Sequence, residues 1–197
     1  MMEYISMQLA ERMCKSNVIN EDDKKYYAYS IQLLLEKLIC TSLILVFAAI
    51  CRSLIEIGIF LIVFALIRIY SDGIHCRTSA GCFISSVAMS ISTIPISSQL
   101  LHSPEICQGG VMLSMIFIFF VGTIRNSNLE PTEQELNHLK KCSRIGITII
   151  GLVVVILLLF FPKNQYVYYS ALGIIYNAVS LLIAKLKGKE EATDDKA

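Results

Sequence analysis

The sequence predicts an all-α, polytopic membrane protein with about six transmembrane helices and an N-terminal amphipathic interfacial helix. The first observation is composition: 55% of the 197 residues are hydrophobic and the mean hydropathy is +0.62, which is too apolar for a soluble domain of this size. The second is a series of apolar runs, most of them close to the roughly 17–25 residues with which a helix crosses a bilayer. These runs cover residues 31–51, 54–70, 82–101, 109–124, 145–161 and 166–184.

The distribution of charge predicts how these spans are oriented. With six spans, both termini lie on the same side of the membrane. Fourteen of the 17 lysines and arginines then fall on that side, while Arg52 and Lys163 are the cations of the opposite side and Lys37 lies in the first span. Because cytoplasmic loops carry the excess of Lys and Arg, both termini are predicted to be cytoplasmic.

We expect one integral-membrane domain over residues 1–197, because the polar segments are too short to enclose a soluble core. Residues 1–20 are predicted to form the interfacial helix, since Met2, Ile5, Leu9 and Met13 recur at helical spacing. The same pattern also fits a helix packed on the bundle. The transmembrane bundle covers residues 31–184, and the charged tail at 186–197 is predicted to be disordered.

His75 and Cys82 lie in a short polar break between the second and third apolar runs. A thiol beside an imidazole can act as a nucleophile with its general base. On one unbroken helix the two residues would stand about 10.5 Å apart along the axis, too far for direct proton transfer, so the backbone must fold back between them. Gly73 and Gly81 permit this. A third span that begins near Ser79 places Cys82 in its first turn, where free N–H groups and the helix dipole favour the thiolate.

A row of hydroxyl groups follows Cys82 along the third span. At 100° per residue, the side chains within about 80° of the Cys82 direction are those of Ser86, Ser90, Thr93 and Ser97. In lipid, such a face turns toward protein or a wet cavity. The row therefore predicts either ordinary packing of small residues or a groove for an extended peptide.

Two other functions compete with thiol chemistry. The six spans and the hydroxyl row suit a peptide or small-molecule transporter, although no charged midplane site and no pair of broken helices accompanies them. His75, Cys76 and Cys82 could instead belong to a metal-binding or redox-sensing membrane protein. Zinc would then need a further ligand, from Asp72 or Cys142. We expect neither a metal nor another cofactor.

The remaining histidines and cysteines are interpreted as structural. His102 and His138 lie near predicted loops without adjacent partners. Cys40 falls within a span, where a thiol behaves as a small apolar group. Cys51 and Cys107 could both approach the outer face and pair, but most of the cysteines lie in spans or on the cytoplasmic side, where thiols stay reduced.

The segment from Arg68 to Ser86 resembles the AgrB (accessory gene regulator B) family of bacterial membrane cysteine endopeptidases. The signature of that family places an arginine and a Ser or Thr before two glycines and a histidine. A cysteine follows seven residues after the histidine, with a glycine before it and a Ser-containing apolar run after it. The matching residues are Arg68, Ser71, Gly73, His75, Gly81, Cys82, Ser85 and Ser86. Asp72 replaces the first glycine and Cys76 replaces an alanine, which leaves the His–Cys pair in place.

The resemblance implies an enzyme of the bacterial cell membrane that cleaves a small AgrD-like propeptide on the cytoplasmic side. Cys82, deprotonated by His75, would release the C-terminal part of the propeptide and support cyclisation of the rest for quorum sensing. No nucleic acid takes part, and a homodimer could enclose the peptide. The other residues expected to contribute are Asp72, Gly81 and Ser86 as supporting groups, and Arg77, Lys140, Lys141 and Arg144 as cations for the propeptide tail. His75 could be oriented by Asp72, Glu36, Glu56 or a backbone carbonyl.

Overall fold

The chain folds into α-helices throughout the part that its computed structural model describes, which comprises residues 2–71, 79–122 and 133–194. Within these ranges there is no β-strand, so the predicted all-α class is confirmed. The helices are α1 (Met2–Lys15), α2 (Lys24–Ile50), α3 (Leu54–Ser71), α4 (Ser79–His102), α5 (Pro104–Val121), α6 (Glu133–Phe160) and α7 (Gln165–Asp194).

Five of these helices, namely α2, α4, α5, α6 and α7, are long and apolar enough to cross a membrane. This agrees with the predicted polytopic membrane protein. The remaining predicted span, at 54–70, corresponds to α3, which carries Glu56 in its first turn and Arg68 in its last. That α3 also crosses, and that both termini are cytoplasmic, stay predictions.

The ends of the helices differ from those of the apolar runs for local reasons. α5 begins at Pro104 rather than at residue 109, because Ser103 stands at the N-cap position and a proline is favoured in the first turn. It ends at Val121, and its C-cap residue Gly122 has a φ of +66°, which glycine adopts without strain. The Gly122 N–H bonds the Ile118 carbonyl at 2.8 Å. α6 begins at Glu133, well before the apolar run at 145–161. The run did not indicate this start because the first three turns of the helix are mostly polar. α7 is assigned from Gln165 to Asp194, and the disorder expected for the tail at 186–197 stays a prediction.

Residues 1–50 form one compact unit, in which α1 packs on α2. The turn between them begins at Asn17, which has a φ of +54°. The N–H of Val18 reaches back to the Met13 carbonyl at 3.0 Å, the bond that closes a Schellman C-cap. A salt bridge of 3.2 Å between Lys24 and Glu11 joins the two helices, and its hydrogen bond lowers the pKa of Glu11.

The two faces of α1 differ in exposure. Ser6 and Ala10 are buried, whereas Ile5 and Leu9 from the predicted apolar row are exposed. The predicted N-terminal helix is therefore present, and small residues form its buried side. The exposed apolar row leaves α1 suited to the membrane interface, which stays the prediction for its location.

Residues 51–197 form the second compact unit, and α7 lies at its centre. α7 packs against α3, α4, α5 and α6, and all residues from 167 to 174 are buried. At Gly173, an added Cβ would stand 3.0 Å from Val63 and 3.2 Å from the carbonyl oxygen of Phe60, so the missing side chain allows α3 and α7 to cross closely. This close crossing brings the last turns of α3 next to α7, where the polar residues of the unit gather.

Candidate active site

Cys82 is the fourth residue of α4, and thus lies in the first turn of a 24-residue helix. The first four N–H groups of a helix have no carbonyl partner within it. The sequence predicted this position, because Thr78 and Ser79 suit the start of a new helix after a glycine-containing break. His75, Asp72 and Arg77 fall in 72–78, outside the described residues, as does the side chain of Cys82. The contact between the thiol and the imidazole therefore stays a prediction.

The two helices that bracket this segment both pack on α7. α3 ends at Ser71 and α4 begins at Ser79, so seven residues connect them. α4 packs chiefly on α7, where Ser92 and Tyr176 share a hydrogen bond of 2.6 Å between their hydroxyls. Each helix that leads to the His–Cys pair is thus held by α7.

A buried polar cluster joins the end of α3 to α7. The Asn177 amide is fully buried, and its Nδ2 donates to the Phe64 carbonyl at 2.7 Å. Ser71 donates to the Ile67 carbonyl at 3.0 Å and lies 3.4 Å from Asn177 Oδ1. We refer to Ser71 and Asn177, together with Arg68 and Ser180, as the α3–α7 clamp.

The clamp is completed by Arg68. Its Nη1 donates to the Ser180 hydroxyl at 2.7 Å, and its guanidinium lies 5.5 Å from the centre of the Phe64 ring. A charged group within a span is costly unless it is paired or hydrogen-bonded. Arg68 was expected from the motif, but Asn177 and Ser180 were not. A polar amide in an apolar span was the available signal, since such groups hydrogen-bond between helices.

The hydroxyl row of α4 is mostly buried and bonds its own helix. Ser90, Thr93 and Ser97 are buried, and Ser86 is half-buried. The Thr93 hydroxyl donates to the Ser90 carbonyl at 2.6 Å, and the Ser97 hydroxyl to the Ile94 carbonyl at 2.9 Å. Of the two expectations, this arrangement fits helix packing rather than a peptide groove, because these hydroxyls are already satisfied.

Three of the four cations expected to hold the propeptide tail are described, and all three lie on α6. Lys140 is half-buried, and its side chain lies against Gly122, where an added Cβ would stand 3.3 Å from Lys140 Cγ. Lys141 and Arg144 are exposed and line an open groove, and Arg144, one turn after Lys140, also reaches the end of α5 at the Phe119 carbonyl. Lys140 and Arg144 therefore both reach the end of α5, and the role of these cations in binding the propeptide tail stays a prediction.

α6 also carries a second thiol–imidazole pair that sequence reasoning missed. Cys142 Sγ lies 3.7 Å from His138 Nδ1, one helical turn away. The two residues were interpreted separately, although their spacing of four places them on one helix face. Because this pair has the same chemical groups as His75 and Cys82, it is the natural internal control for any test of the candidate site.

The other acids and cysteines have ordinary surroundings. Glu36 accepts a hydrogen bond of 3.0 Å from Gln32, and Glu56 accepts one of 3.0 Å from Gln165. Cys51 is exposed and Cys107 is buried, and both are free thiols. The pairing of Cys51 with Cys107 that the sequence left open is therefore absent.

Comparison with known proteins gives one match. The sequence model of the family described as "AgrB: Accessory gene regulator B" matches residues 6–181, which is most of the chain. No curated protein and no solved structure matches it.

Proposed function

Because the chain belongs to the AgrB family, which acts in the membrane on AgrD propeptides of agr quorum sensing, we propose that it is a thiol endopeptidase with Cys82 as nucleophile and His75 as general base. The observation that carries this proposal is the position of Cys82 in the first turn of α4. A cysteine there is favoured as a thiolate, and the unpaired N–H groups of the same turn can bind a developing oxyanion.

The reaction follows from these groups. His75 accepts the proton of the Cys82 thiol, and the sulfur adds to a carbonyl carbon of the propeptide. The N–H groups at the start of α4 stabilise the tetrahedral oxyanion. The intermediate collapses by breaking the C–N bond, and protonated His75 returns its proton to the departing amine of the C-terminal fragment. The N-terminal part remains as a thioester on Cys82.

Ring closure completes the sequence. A thiol or hydroxyl within the retained peptide loses its proton to His75 and attacks the thioester, which expels the Cys82 sulfur and forms a thiolactone or lactone. The internal nucleophile has the advantage of proximity over water, and a site at the membrane edge limits the access of water.

The surrounding residues support this chemistry in separate ways. Gly81 precedes the nucleophile and leaves the backbone open to the substrate, while Asp72 orients His75. Ser86 lies four residues after Cys82 and therefore on the same face of α4. Arg77 and Lys140 attract the acidic tail of the propeptide, and Lys140 lies beside the end of α5, against Gly122.

The experiment measures cleavage of an AgrD-type propeptide by the full-length protein in lipid vesicles. Cys82→Ala is expected to lower cleavage by about a thousandfold or more, as the loss of a nucleophile does in other proteases. His75→Ala is expected to have a comparable effect. Retained processing by Cys82→Ala contradicts the proposal.

The second thiol–imidazole pair supplies matched controls. Cys142→Ala and His138→Ala remove the same chemical groups from a helix face of α6. Both variants are expected to cleave the propeptide at close to the rate of the unmodified protein. Loss of cleavage in the α6 variants, with activity retained in the Cys82 variant, would assign the nucleophile to Cys142.

A further inference from the structure

An open groove of about 390 Å³ lies beside the end of α5 and along the middle turns of α6. Among the described residues, its lining combines two cations and a threonine with apolar side chains and contains no acid. The lining residues are Phe119, Lys141, Arg144, Ile145, Thr148 and Ile149. A groove of this composition suits a ligand that has an anionic group and a hydrocarbon portion.

Arg144 is held in place at one end of this groove. Its Nε donates to the Phe119 carbonyl at 3.2 Å, and its guanidinium lies 5.5 Å from the centre of the Phe119 ring. Within the described part of the chain this is the only hydrogen bond of the guanidinium, so both of its terminal nitrogens can donate to an anion. Such a fixed fork matches the oxygens of a phosphate.

Lys141 adds a second cation one turn before Arg144. Its side chain is exposed, and its ammonium has no hydrogen-bond or ion-pair partner among the described residues. Lys163 and Lys185 are also exposed cations, but neither lines this groove. Lys141 and Arg144 therefore differ from Lys163 and Lys185 in facing this apolar groove together.

An exposed apolar row continues from the cations along α6. The exposed fractions are 60% for Ile145, 59% for Ile149, 57% for Leu152, 43% for Ile156 and 60% for Leu159. Their spacing of three and four residues places them on one face. At about 1.5 Å per residue the row is about 21 Å long, which exceeds the roughly 15 Å depth of one leaflet's hydrocarbon.

We propose that this groove binds an anionic phospholipid, with its phosphate between Lys141 and Arg144 and an acyl chain along Ile145 and Ile149. The inference goes beyond the proposed peptidase and does not depend on it. A peptide tail is the less suitable occupant, because its backbone N–H and C=O groups would find no hydrogen-bond partners along the apolar row. An acyl chain needs none.

The test measures lipid retention by native mass spectrometry of the full-length protein, released from detergent containing equal amounts of phosphatidylglycerol and phosphatidylcholine. The unmodified protein is expected to retain phosphatidylglycerol preferentially. In the double variant Lys141→Gln, Arg144→Gln, we expect the preference for phosphatidylglycerol over phosphatidylcholine to fall roughly tenfold, since each cation near an anionic headgroup contributes appreciably to lipid binding. The control Lys163→Gln, Lys185→Gln removes the same charge and is expected to keep the preference.

Arg144→Lys keeps the charge but loses the planar fork, so we expect an intermediate preference. It also keeps the proposal testable if the double variant does not fold. An unchanged preference for phosphatidylglycerol in Arg144→Lys, or in the double variant Lys141→Gln, Arg144→Gln, overturns the proposal. Displacement of the lipid by an equal concentration of glycerol 3-phosphate also overturns it, because the acyl chain would then contribute nothing. A double variant that binds phosphatidylglycerol normally but loses binding of a synthetic acidic peptide would assign the groove to the propeptide tail instead.

Discussion

Truncation of Asn177 to alanine should destabilise the bundle, because this amide is the fully buried centre of the α3–α7 clamp. Its bond to the Phe64 carbonyl is short at 2.7 Å, whereas the contact with Ser71 is at the limit of a hydrogen bond at 3.4 Å. Interhelical hydrogen bonds in membrane proteins contribute about 0.6 kcal/mol on average and up to about 1.7 kcal/mol. We assign the Asn177–Phe64 bond to the upper part of that range.

The alanine variant also leaves a space where the carboxamide was, which adds to the cost. The expected loss in the free energy of unfolding is therefore about 2 kcal/mol, or close to a thirtyfold change in the unfolding equilibrium. Asn177→Leu removes the same hydrogen bonds but fills the space. Its loss should be about 1 kcal/mol, and the difference between the two variants measures the contribution of packing.

The assay is unfolding by sodium dodecyl sulfate in mixed micelles, followed by circular dichroism. Ser170→Ala is the matched control, because Ser170 is also buried on α7 but bonds only the Tyr166 carbonyl of its own helix. We expect the control to change the unfolding free energy by less than about 0.5 kcal/mol. If Asn177→Ala is as stable as the control, the clamp does not hold α3 to α7.

The clamp should also affect activity, since it fixes the end of α3 from which the segment bearing His75 departs. In propeptide cleavage, Asn177→Leu is expected to lower kcat more than it raises KM, because a positioning defect weakens the transition state rather than substrate binding. An unchanged kcat with a raised KM would indicate that this part of α7 serves substrate binding.

Two further predictions concern the packing of α7. Gly173→Ala should destabilise the protein by about 1–3 kcal/mol, because the new methyl group would meet Val63 at 3.0 Å. The control Gly58→Ala has nothing within 4 Å of the new methyl group and should be neutral or stabilising. Equal unfolding midpoints for the two variants in the same assay would contradict this prediction. Tyr168→Phe should lower the free energy of unfolding by about 1 kcal/mol, because it removes the 2.7 Å hydrogen bond to the Pro162 carbonyl. Tyr166→Phe, at an exposed position, is the control, and a larger loss of unfolding free energy in this variant would refute the assignment.

The helices were largely predictable from the sequence because a bilayer demands long apolar runs. Each of the six runs overlaps one helix of the structure, and the runs at 54–70, 82–101 and 166–184 lie entirely within theirs. The ends were less predictable, since a helix can continue outside the hydrocarbon. Polar residues such as Lys140 and Lys141 belong to α6 although they precede the apolar run that was used to locate it.

The site was predictable only where its residues are close in sequence. The start of α4 near Ser79, and with it the place of Cys82, followed from a local break. The partners of the clamp did not, because Asn177 and Phe64 are 113 residues apart and no sequence pattern states which helices are neighbours. The groove at Lys141 and Arg144 depends in the same way on the position of α5.

The most direct test of the peptidase account is to identify the covalent intermediate. The full-length protein is mixed with an AgrD-type propeptide, quenched in acid and analysed by mass spectrometry of the intact protein and its digest. We predict an added mass equal to the retained N-terminal part of the propeptide, located on Cys82 and removed by hydroxylamine, as a thioester requires. An adduct on Cys142 instead, or cleavage without any adduct on Cys82, would contradict the account.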